Sequence, residues 1–274
     1  MLRSLCILCF LAIIFISCSP NNITEDDSLK QYFDKHNLQG SFGLFDNGQG
    51  SFTIYNLDRY RDSTYLPAST FKIINSLIGI ETGRVKDDTT LIPWDGITRG
   101  VSSWNQDLIM TKAFEYSAVP WYQELARRIG KDTMQYWLDT LGYGTQFKKP
   151  VITNNLDTFW LDNSLKVSAD EQLGLIKKLY FDQLPFQKRS QRIVKRMMLR
   201  EDNANYRLSY KTGWASTEKG HALGWIIGWI EENNHLYFFV LQVDSPDRNY
   251  NMTDVRLNIL KDILKQYGFM EGKK

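Results

Sequence analysis

The segment PASTFKIINSLIGIETG, residues 67–83, constrains the fold of this chain more than any other stretch. Its apolar residues would surround a helix on nearly every side, and a helix of that kind is buried in a protein core. Ser69 and Lys72 nevertheless stand one turn apart on the same face, although lysine is among the residues least often buried. The segment therefore predicts a buried helix with Gly83 as its C-cap, and the hydroxyl and the amine inside it need an explanation.

Strand patterns occur at both ends of the chain. Alternating segments on either side of Asp46-Asn47-Gly48 predict a hairpin. Three further strand patterns follow one another near the C-terminus, in YRLSYKTGWAS, HALGWIIGWIEE and HLYFFVLQVD, before a last helix in MTDVRLNILKDILKQYG. A sheet built from both chain ends and covered by helices fits this order.

The middle of the chain, from about residue 95 to 205, is predicted to be mostly helical. In SAVPWYQELARRIG, the residues Trp121, Leu125 and Ile129 share one helix face. Ser168 and Glu171 have the spacing of a capping box. We predict an α+β fold with an antiparallel sheet, flanking helices and a mainly helical subdomain. One catalytic domain would span residues 36–274, with its sheet part at about 36–70 and 205–274 and its helical part at about 71–204.

The N-terminal residues 1–18 have the layout of a secretory signal, with Arg3, an apolar run and small residues up to Cys18. The Ser17–Cys18 junction resembles a bacterial lipoprotein cleavage site, although Phe15 stands where that site usually has Leu. We predict export to the periplasm with a lipid on Cys18 and a polar tether over 19–35. An ordinary signal peptide and an uncleaved anchor are the alternatives.

Composition excludes several classes of function. All three cysteines lie in residues 1–18, so the mature chain can form neither a disulfide nor a thiolate metal site. A net charge of +2 gives no reason to expect a nucleic-acid partner. Only three histidines are present and no Gly-x-Ser-x-Gly occurs, which argues against both a Ser-His-Asp triad and a histidine-based zinc site. We therefore expect no metal.

Lys72 is the remaining candidate for the base that activates Ser69. A serine hydroxyl is a poor nucleophile unless a base lies beside it. Burial disfavours the charged form of a lysine and can lower its pKa by several units. The pair Ser69–Lys72 can thus act as nucleophile and general base. The Ser-x-x-Lys pattern alone is weak, since Ser216 and Lys219 repeat it in what reads as a hairpin turn.

Two further segments could supply chemistry. Ser117 precedes a helix in YSAVPW, and its ordinary role there would be an N-cap. Lys211-Thr212-Gly213 lies in a strand pattern, where the ammonium and the hydroxyl could bind a carboxylate and the glycine would admit a ligand close to the backbone. The alternative for this triplet is an edge strand with a solvated lysine.

Together, Ser-x-x-Lys, Ser-x-x and Lys-Thr-Gly in this order are the signature of penicillin-recognising serine enzymes. The chain resembles the class D β-lactamases, or oxacillinases, from about residue 38 to 270, including PASTFK, SAVPWYQELARRIG, FWLDNSLKVSADEQ and YKTGW. Val119 stands where class A enzymes have asparagine. The resemblance implies a drier pocket, in which Lys72 takes up CO2 as a carbamate and the indole N–H of Trp160 binds it. Trp160 would otherwise be an ordinary core aromatic.

The resemblance also implies the remaining roles. Ser69 would form the acyl-enzyme, with its own backbone N–H and that of Trp214 as the oxyanion hole, and Ser117 would pass a proton to the ring nitrogen. Lys211, Thr212 and Arg256 would hold the substrate carboxylate, although Arg256 could instead be a solvated helix charge. The implied substrate is a β-lactam, penicillins first, with no cofactor apart from CO2 or bicarbonate. The protein would be a monomer or a homodimer.

One motif departs from the family, and three other functions stay open. The family often has Tyr-Gly-Asn where this chain has Tyr143-Gly144-Thr145, so no role is assigned to Thr145, and Trp104 is a candidate for the pocket mouth. The alternatives are a β-lactam sensor that is acylated without turnover, a peptidoglycan transpeptidase or carboxypeptidase, and an inactive lipoprotein. Sensors usually carry several membrane spans, and transpeptidases usually have Ser-x-Asn and longer chains.

Overall fold

The structure is a computed structural model that describes residues 22–274. The predicted leader and Cys18 lie outside the described residues. The strands in that range are β1 (Ile23–Glu25), β2 (Gln39–Asp46), β3 (Ser51–Tyr55), β4 (Leu91–Ile92), β5 (Leu108–Ile109), β6 (Leu199–Asp202), β7 (Tyr206–Ser216), β8 (Ala222–Glu232) and β9 (His235–Ser245). The α-helices are α1 (Lys30–Asp34), α2 (Leu57–Asp62), α3 (Lys72–Glu81), α4 (Met110–Glu115), α5 (Val119–Ile129), α6 (Lys131–Leu141), α7 (Ala169–Tyr180), α8 (Lys188–Met198) and α9 (Met252–Gln266).

Strands from both chain ends form one seven-stranded sheet in the order β1-β3-β2-β9-β8-β7-β6, which confirms the predicted α+β architecture. Neighbouring strands are antiparallel, except that β1 runs parallel to β3. Strands β4 and β5 pair separately as a two-stranded ribbon. The sheet thereby brings the hairpin of β2 and β3 beside the C-terminal strands.

Both faces of the sheet are covered by helices. Neighbouring side chains on a strand point to opposite faces, so adjacent residues of β8 belong to different apolar clusters. Ile226 of β8 belongs to an apolar cluster that includes Phe33 of α1 and Ile259 of α9. Ile227, the next residue, belongs to a second cluster that includes Leu77 of α3 and Leu125 of α5. Helix α3 therefore lies in the interior between the sheet and the helical part, as its sequence predicts.

Several local predictions are confirmed. Trp121, Leu125 and Ile129 are all buried on one face of α5. Ser168 Oγ accepts a hydrogen bond from the backbone N–H of Glu171, whose carboxylate accepts one from the backbone N–H of Ser168, so the capping box caps α7. No helix within residues 22–274 combines the length and the apolarity needed to span a membrane.

The structure differs from the prediction in two segments. Residues 19–35 are predicted to be a polar tether, but β1 pairs with β3, and both Leu29 and Phe33 are buried. These two residues stand one helical turn apart and form a short apolar face within an otherwise polar stretch. Strands β4, β5 and β6 lie within the range predicted to be mainly helical, and β6 forms because the chain leaves α8 directly into a hairpin with β7. The folded part thus begins before residue 36.

Candidate active site

Ser69 and Lys72 lie beside each other at the start of the buried helix. Residues Ala68–Phe71 form a 3-10 turn, and Lys72 is the first residue of α3. Lys72 Nζ lies 2.7 Å from Ser69 Oγ, within hydrogen-bonding distance. Ala68 has a φ of +50°, a left-handed conformation that side chains other than glycine rarely adopt, and strain of this kind clusters at functional sites. The geometry suits proton transfer from the serine to the lysine.

Burial makes the Lys72 amine a base. Its side chain is 0% exposed, and desolvation lowers its pKa from 10.5 to about 7. No ion pair within 4 Å involves Lys72 among residues 22–274, and its Nζ lies 5.3 Å from the centroid of the Tyr122 ring. A large fraction of the amine is therefore neutral at neutral pH, and a neutral amine can accept the Ser69 proton.

A stability prediction follows from this burial. Lys72 binds its proton less readily in the folded than in the unfolded chain, so its burial destabilises the fold most below pH 7, and the effect fades as the pH rises toward 10.5. Lys72→Met is expected to raise the free energy of unfolding at pH 7 by on the order of 4 kcal/mol. Urea unfolding in CO2-free buffer at pH 7 and pH 10 measures this difference. An equal gain at both pH values would contradict the assignment.

Ser117 lies between two helices and is bound by the lysine of β7. Its φ is +52°, and the N-cap of α5 is Ala118, which makes no side-chain cap bond. The N-cap alternative for Ser117 is therefore wrong. Ser117 Oγ instead accepts a hydrogen bond from Lys211 Nζ. Lys211 is 1% exposed, and its pKa is lowered well below the usual value by burial and then by the charges of Lys72, Arg200 and Arg256.

Strand β7 approaches the Ser69 turn closely at Gly213. A Cβ on Gly213 would lie 3.0 Å from the Pro67 carbonyl oxygen and 3.2 Å from Trp225 Cβ, so a side chain there would push the strand away from the turn. Thr212 is half-buried, and Trp214 is 46% exposed. The Lys-Thr-Gly triplet therefore does not form a solvated edge, because Lys211 is buried beside Ser117.

Arg256 is not a solvated helix charge. It is 7% exposed on α9, and burial lowers its pKa to about 10. Its Nη1 donates to the backbone carbonyl of Gly213, and its Nε is buried with no hydrogen-bond partner among residues 22–274. The guanidinium is thus attached to the strand that carries Lys211, with hydrogen-bonding capacity left over.

Trp160 is a fully buried indole with an unpaired donor. Its Nε1 has no hydrogen-bond partner among the described residues, and an unpaired buried donor costs about 1–3 kcal/mol. The ring stacks on Phe71, the residue before Lys72, with centroids 5.3 Å apart. Its carbonyl oxygen accepts the backbone N–H of Ala68 at 3.1 Å. Trp160 therefore holds the segment before Ser69 and leaves one N–H available.

Val119 is half-buried at the first position of α5.

Some supporting residues are not identified by the sequence patterns. Gln172 Nε2 donates to Thr70 Oγ1 at 2.8 Å, and the Tyr143 hydroxyl donates to Gln172 Oε1 at 3.1 Å, so Tyr143 supports the Ser69 turn from behind. Thr145 is exposed, and its hydroxyl donates to the Gly142 carbonyl at 2.7 Å. Arg200, beside a bulge in β6, lies 5.8 Å from the Phe114 ring centroid, and Lys211 Nζ lies 5.4 Å from the same centroid.

The site is rich in basic groups and poor in acids. Lys72, Lys211, Arg200 and Arg256 converge on it, and none of the four forms an ion pair within 4 Å among residues 22–274. Within residues 22–274, no three or more His, Cys, Asp or Glu side chains lie together as a metal site would require. An arrangement of this kind favours the binding of anions, because they would neutralise buried positive charge.

The comparisons with known proteins agree with this geometry. Residues 27–265 match the family described as the penicillin binding protein transpeptidase domain. The chain is 42% identical to the β-lactamase OXA-48 of Klebsiella pneumoniae over 88% of both chains. It is 39% identical to the probable β-lactamase YbxI of Bacillus subtilis over 91% of this chain and 86% of that one.

Solved structures extend the similarity to the fold. The class D β-lactamase YbXI from Nostoc superposes with a TM-score of 0.83 at 34% identity, covering 89% of this chain and all of that one. The C-terminal domain of the Bacillus licheniformis BlaR penicillin receptor superposes with a TM-score of 0.82 at 29% identity, over 90% of this chain and 96% of that domain. The fold is therefore shared by hydrolases and by a receptor.

Proposed function

This chain belongs to the class D β-lactamases and hydrolyses β-lactams, and on that premise we propose that Ser69 is its nucleophile and carboxylated Lys72 its general base. The observation that carries the proposal is the buried Lys72 amine 2.7 Å from Ser69 Oγ. Among the residues described, no carboxylate contributes to the lowered pKa of Lys72, and the other buried amine, Lys211, is bonded to Ser117 rather than to Ser69.

The surroundings of Lys72 fit a carbamate. A neutral amine reacts with CO2, whereas an ammonium does not, and burial favours the neutral amine. The Trp160 N–H is a buried donor without a partner, and the nearby basic groups carry no paired acid. When CO2 is bound, the carbamate supplies an anionic base in a dry site. Val119 contributes to this dryness through an apolar side chain at the start of α5.

The other residues of the site have roles that follow from their positions. Ser69 Oγ gives its proton to the base on Lys72 and attacks the carbonyl carbon of the β-lactam. The C–N bond of the ring then breaks, and the ring nitrogen takes a proton from Ser117, which Lys211 replenishes. The backbone N–H groups of Ser69 and Trp214 stabilise the oxyanion. The proton taken from Ser69 then passes from the Lys72 side through the Ser117 hydroxyl to Lys211, which restores both the base and the acid. Water gives a proton to the restored base on Lys72 and attacks the ester carbonyl carbon, and the C–O bond breaks as Ser69 Oγ takes that proton back.

The substrate carboxylate is bound at the other end of the site. Arg256 presents a positive charge behind β7, Lys211 adds an amine whose protonation a bound carboxylate would favour, and Thr212 adds a hydroxyl. Binding the carboxylate here would orient the ring toward Ser69. Penicillins are the proposed preferred substrates. Gly213 keeps the backbone of β7 within reach of the ligand.

Hydrolysis of benzylpenicillin is expected to depend on bicarbonate. Below pH 7 an increasing fraction of Lys72 is protonated and cannot react with CO2, so the rate at limiting CO2 should fall as the pH drops through about 7. At a fixed pH of 6.5, added bicarbonate should restore the rate. Product absorbance measures turnover, and intact mass follows the acyl-enzyme. A rate that does not respond to bicarbonate in degassed buffer would show that the reaction does not use a carbamate on Lys72.

The same reaction separates the enzyme from its alternatives. Many turnovers per protein are expected from a hydrolase, whereas one stable adduct without turnover is the behaviour of a sensor or a penicillin-binding transpeptidase. The matched control is Ser69→Ala, which should form no adduct. An adduct on Ser69→Ala would place the nucleophile elsewhere.

We also propose that the protein is exported and anchored in a bacterial membrane by a lipid on Cys18, and that the catalytic domain acts as a monomer or homodimer. The leader-like residues 1–18 and the absence of cysteine from the rest of the chain support the export and the anchor. The mass of the mature N-terminus tests it. A mature protein that begins elsewhere than at Cys18 would contradict the anchor.

A further inference from the structure

A cavity of about 160 Å³ lies beside the segment that carries Ser117, and the reaction does not use it. Ala118 and Pro120 form part of its wall, but neither Ser69, Lys72 nor Lys211 lines it. Ile92 of β4 and the residues that follow it, including Pro93 and Trp94, also line the cavity. The cavity is therefore separate from Ser69, Lys72 and Lys211, and Trp104, the candidate for the mouth of the reactive pocket, lies on its wall instead.

Three tryptophans line the cavity, and each has its N–H already bonded inside the protein. Trp94 Nε1 donates to the Ile97 carbonyl at 3.0 Å and Trp104 Nε1 donates to the Tyr116 carbonyl at 3.0 Å. Trp121 Nε1 donates to the Leu108 carbonyl at 2.9 Å. These bonds fix the rings and leave the indoles no donor for a ligand. The walls thus offer aromatic surface, which suits a flat ring.

One charged group at the cavity, Arg128, keeps two unbonded nitrogens although it is ion-paired with Glu124. Asp95 is bonded by both terminal nitrogens of Arg99. Glu124 accepts the Nε–H groups of Arg127 and Arg128, at 3.2 and 2.9 Å. Arg127 uses a further nitrogen on Asp157.

Arg128 differs from Arg127 in the number of its nitrogens that make no hydrogen bond within the described residues. Its two terminal nitrogens make no hydrogen bond to any residue within 22–274, whereas each acid at the cavity already has a basic partner. A guanidinium with two free parallel N–H groups binds a carboxylate in bidentate fashion. The cavity therefore combines aromatic walls with a carboxylate-binding group.

We propose that this cavity binds a small planar aromatic carboxylate, with the ring among the three indoles and the carboxylate on Arg128. The size agrees, because a dry cavity of about 150 Å³ holds a benzene ring. The proposal does not rest on the catalytic assignments above. It also places a ligand next to Tyr116 and Ala118, the two neighbours of Ser117.

Benzoate is the probe, titrated into full-length mature Ser69→Ala protein by calorimetry. We expect one site with a dissociation constant on the order of 1 mM, as for a ligand of this few atoms. Acetate lacks the ring and cyclohexanecarboxylate lacks planarity, so each should bind at least tenfold more weakly. Equal binding of either compound would overturn the proposal.

Variants locate the site. Arg128→Gln should weaken benzoate at least tenfold but leave the binding of benzyl alcohol unchanged, since that ligand has no charge. The matched control is Arg127→Gln, in which the neighbouring arginine is lost and the affinity should change less than twofold. Trp94→Ala should weaken both ligands. Unchanged affinity in Arg128→Gln would refute the assignment.

A last variant separates this cavity from the catalytic site. Lys211→Ala removes a carboxylate-binding group of the reaction, and benzoate affinity should be unchanged in it. A loss of binding in Lys211→Ala would mean that benzoate occupies the catalytic site, which also overturns the proposal. The melting temperature of each variant, without ligand, shows whether it is folded.

Discussion

Replacing Lys72 with alanine is expected to lower kcat/KM for benzylpenicillin by about 10³- to 10⁴-fold, the contribution of a well-placed general base. Lys72 lies 2.7 Å from Ser69 Oγ, and the described residues place no second base at that oxygen. The loss should affect acylation as well as deacylation, because one base serves both half-reactions. Intact mass after a short exposure to benzylpenicillin should therefore show unmodified protein.

The chain supplies a matched control for this variant. Lys219 belongs to the second Ser-x-x-Lys pattern and is exposed in the turn between β7 and β8, so Lys219→Ala should leave turnover within about twofold of the parent. An acyl-enzyme that forms in Lys72→Ala at the parental rate would show that another group activates Ser69. The expected loss of activity in Lys72→Ala and the expected gain in stability of Lys72→Met together mean that the buried lysine lowers stability and is needed for activity.

Replacing Trp160 with phenylalanine is expected to leave acylation detectable but to slow deacylation by about 10²-fold, the low end of a general-base effect. The substitution keeps an aromatic ring against Phe71 and removes the unpaired N–H that would bind the carbamate. Intact mass should then show an acyl-enzyme that persists for minutes. High bicarbonate should restore part of the rate, because a higher CO2 concentration shifts the weakened carboxylation equilibrium of Lys72 back toward the carbamate.

The control for this second variant is Trp229→Phe, a buried tryptophan of β8 that packs against Tyr180. It creates a similar gap in the core away from Ser69, so its deacylation rate should match that of the parent. If Trp160→Phe releases its acyl group as quickly as the parent does, the N–H has no part in the reaction. If both variants are slowed alike, the effect is one of packing.

Much of the local structure could be predicted from the sequence, because it depends on neighbouring residues. The apolar face of α5, the capping box of α7 and the hairpin of β2 and β3 follow from side-chain spacing over a few residues. The proximity of Ser69 and Lys72 follows in the same way from one helical turn. The tether prediction failed for Leu29 and Phe33, because two apolar residues are too few to stand out in a polar stretch.

The functional interpretation also came from the sequence, through three short motifs in a fixed order and the family that they resemble. The sequence by itself therefore determined the helix that must be buried, the pair of groups on it and the class of reaction. The sequence left the alternatives open for Ser117, Lys211 and Arg256, since an N-cap, a solvated strand lysine and a solvated helix arginine occur in the same local patterns.

Only the tertiary structure decided which groups meet. The hydrogen bond between Lys211 and Ser117 joins residues 94 positions apart, and that between Arg256 and Gly213 spans 43 positions. The unpaired Trp160 N–H and the cavity among Trp94, Trp104 and Trp121 likewise arise from packing between distant segments. Burial and charge depend on every element around a group, and spacing along one segment cannot specify them.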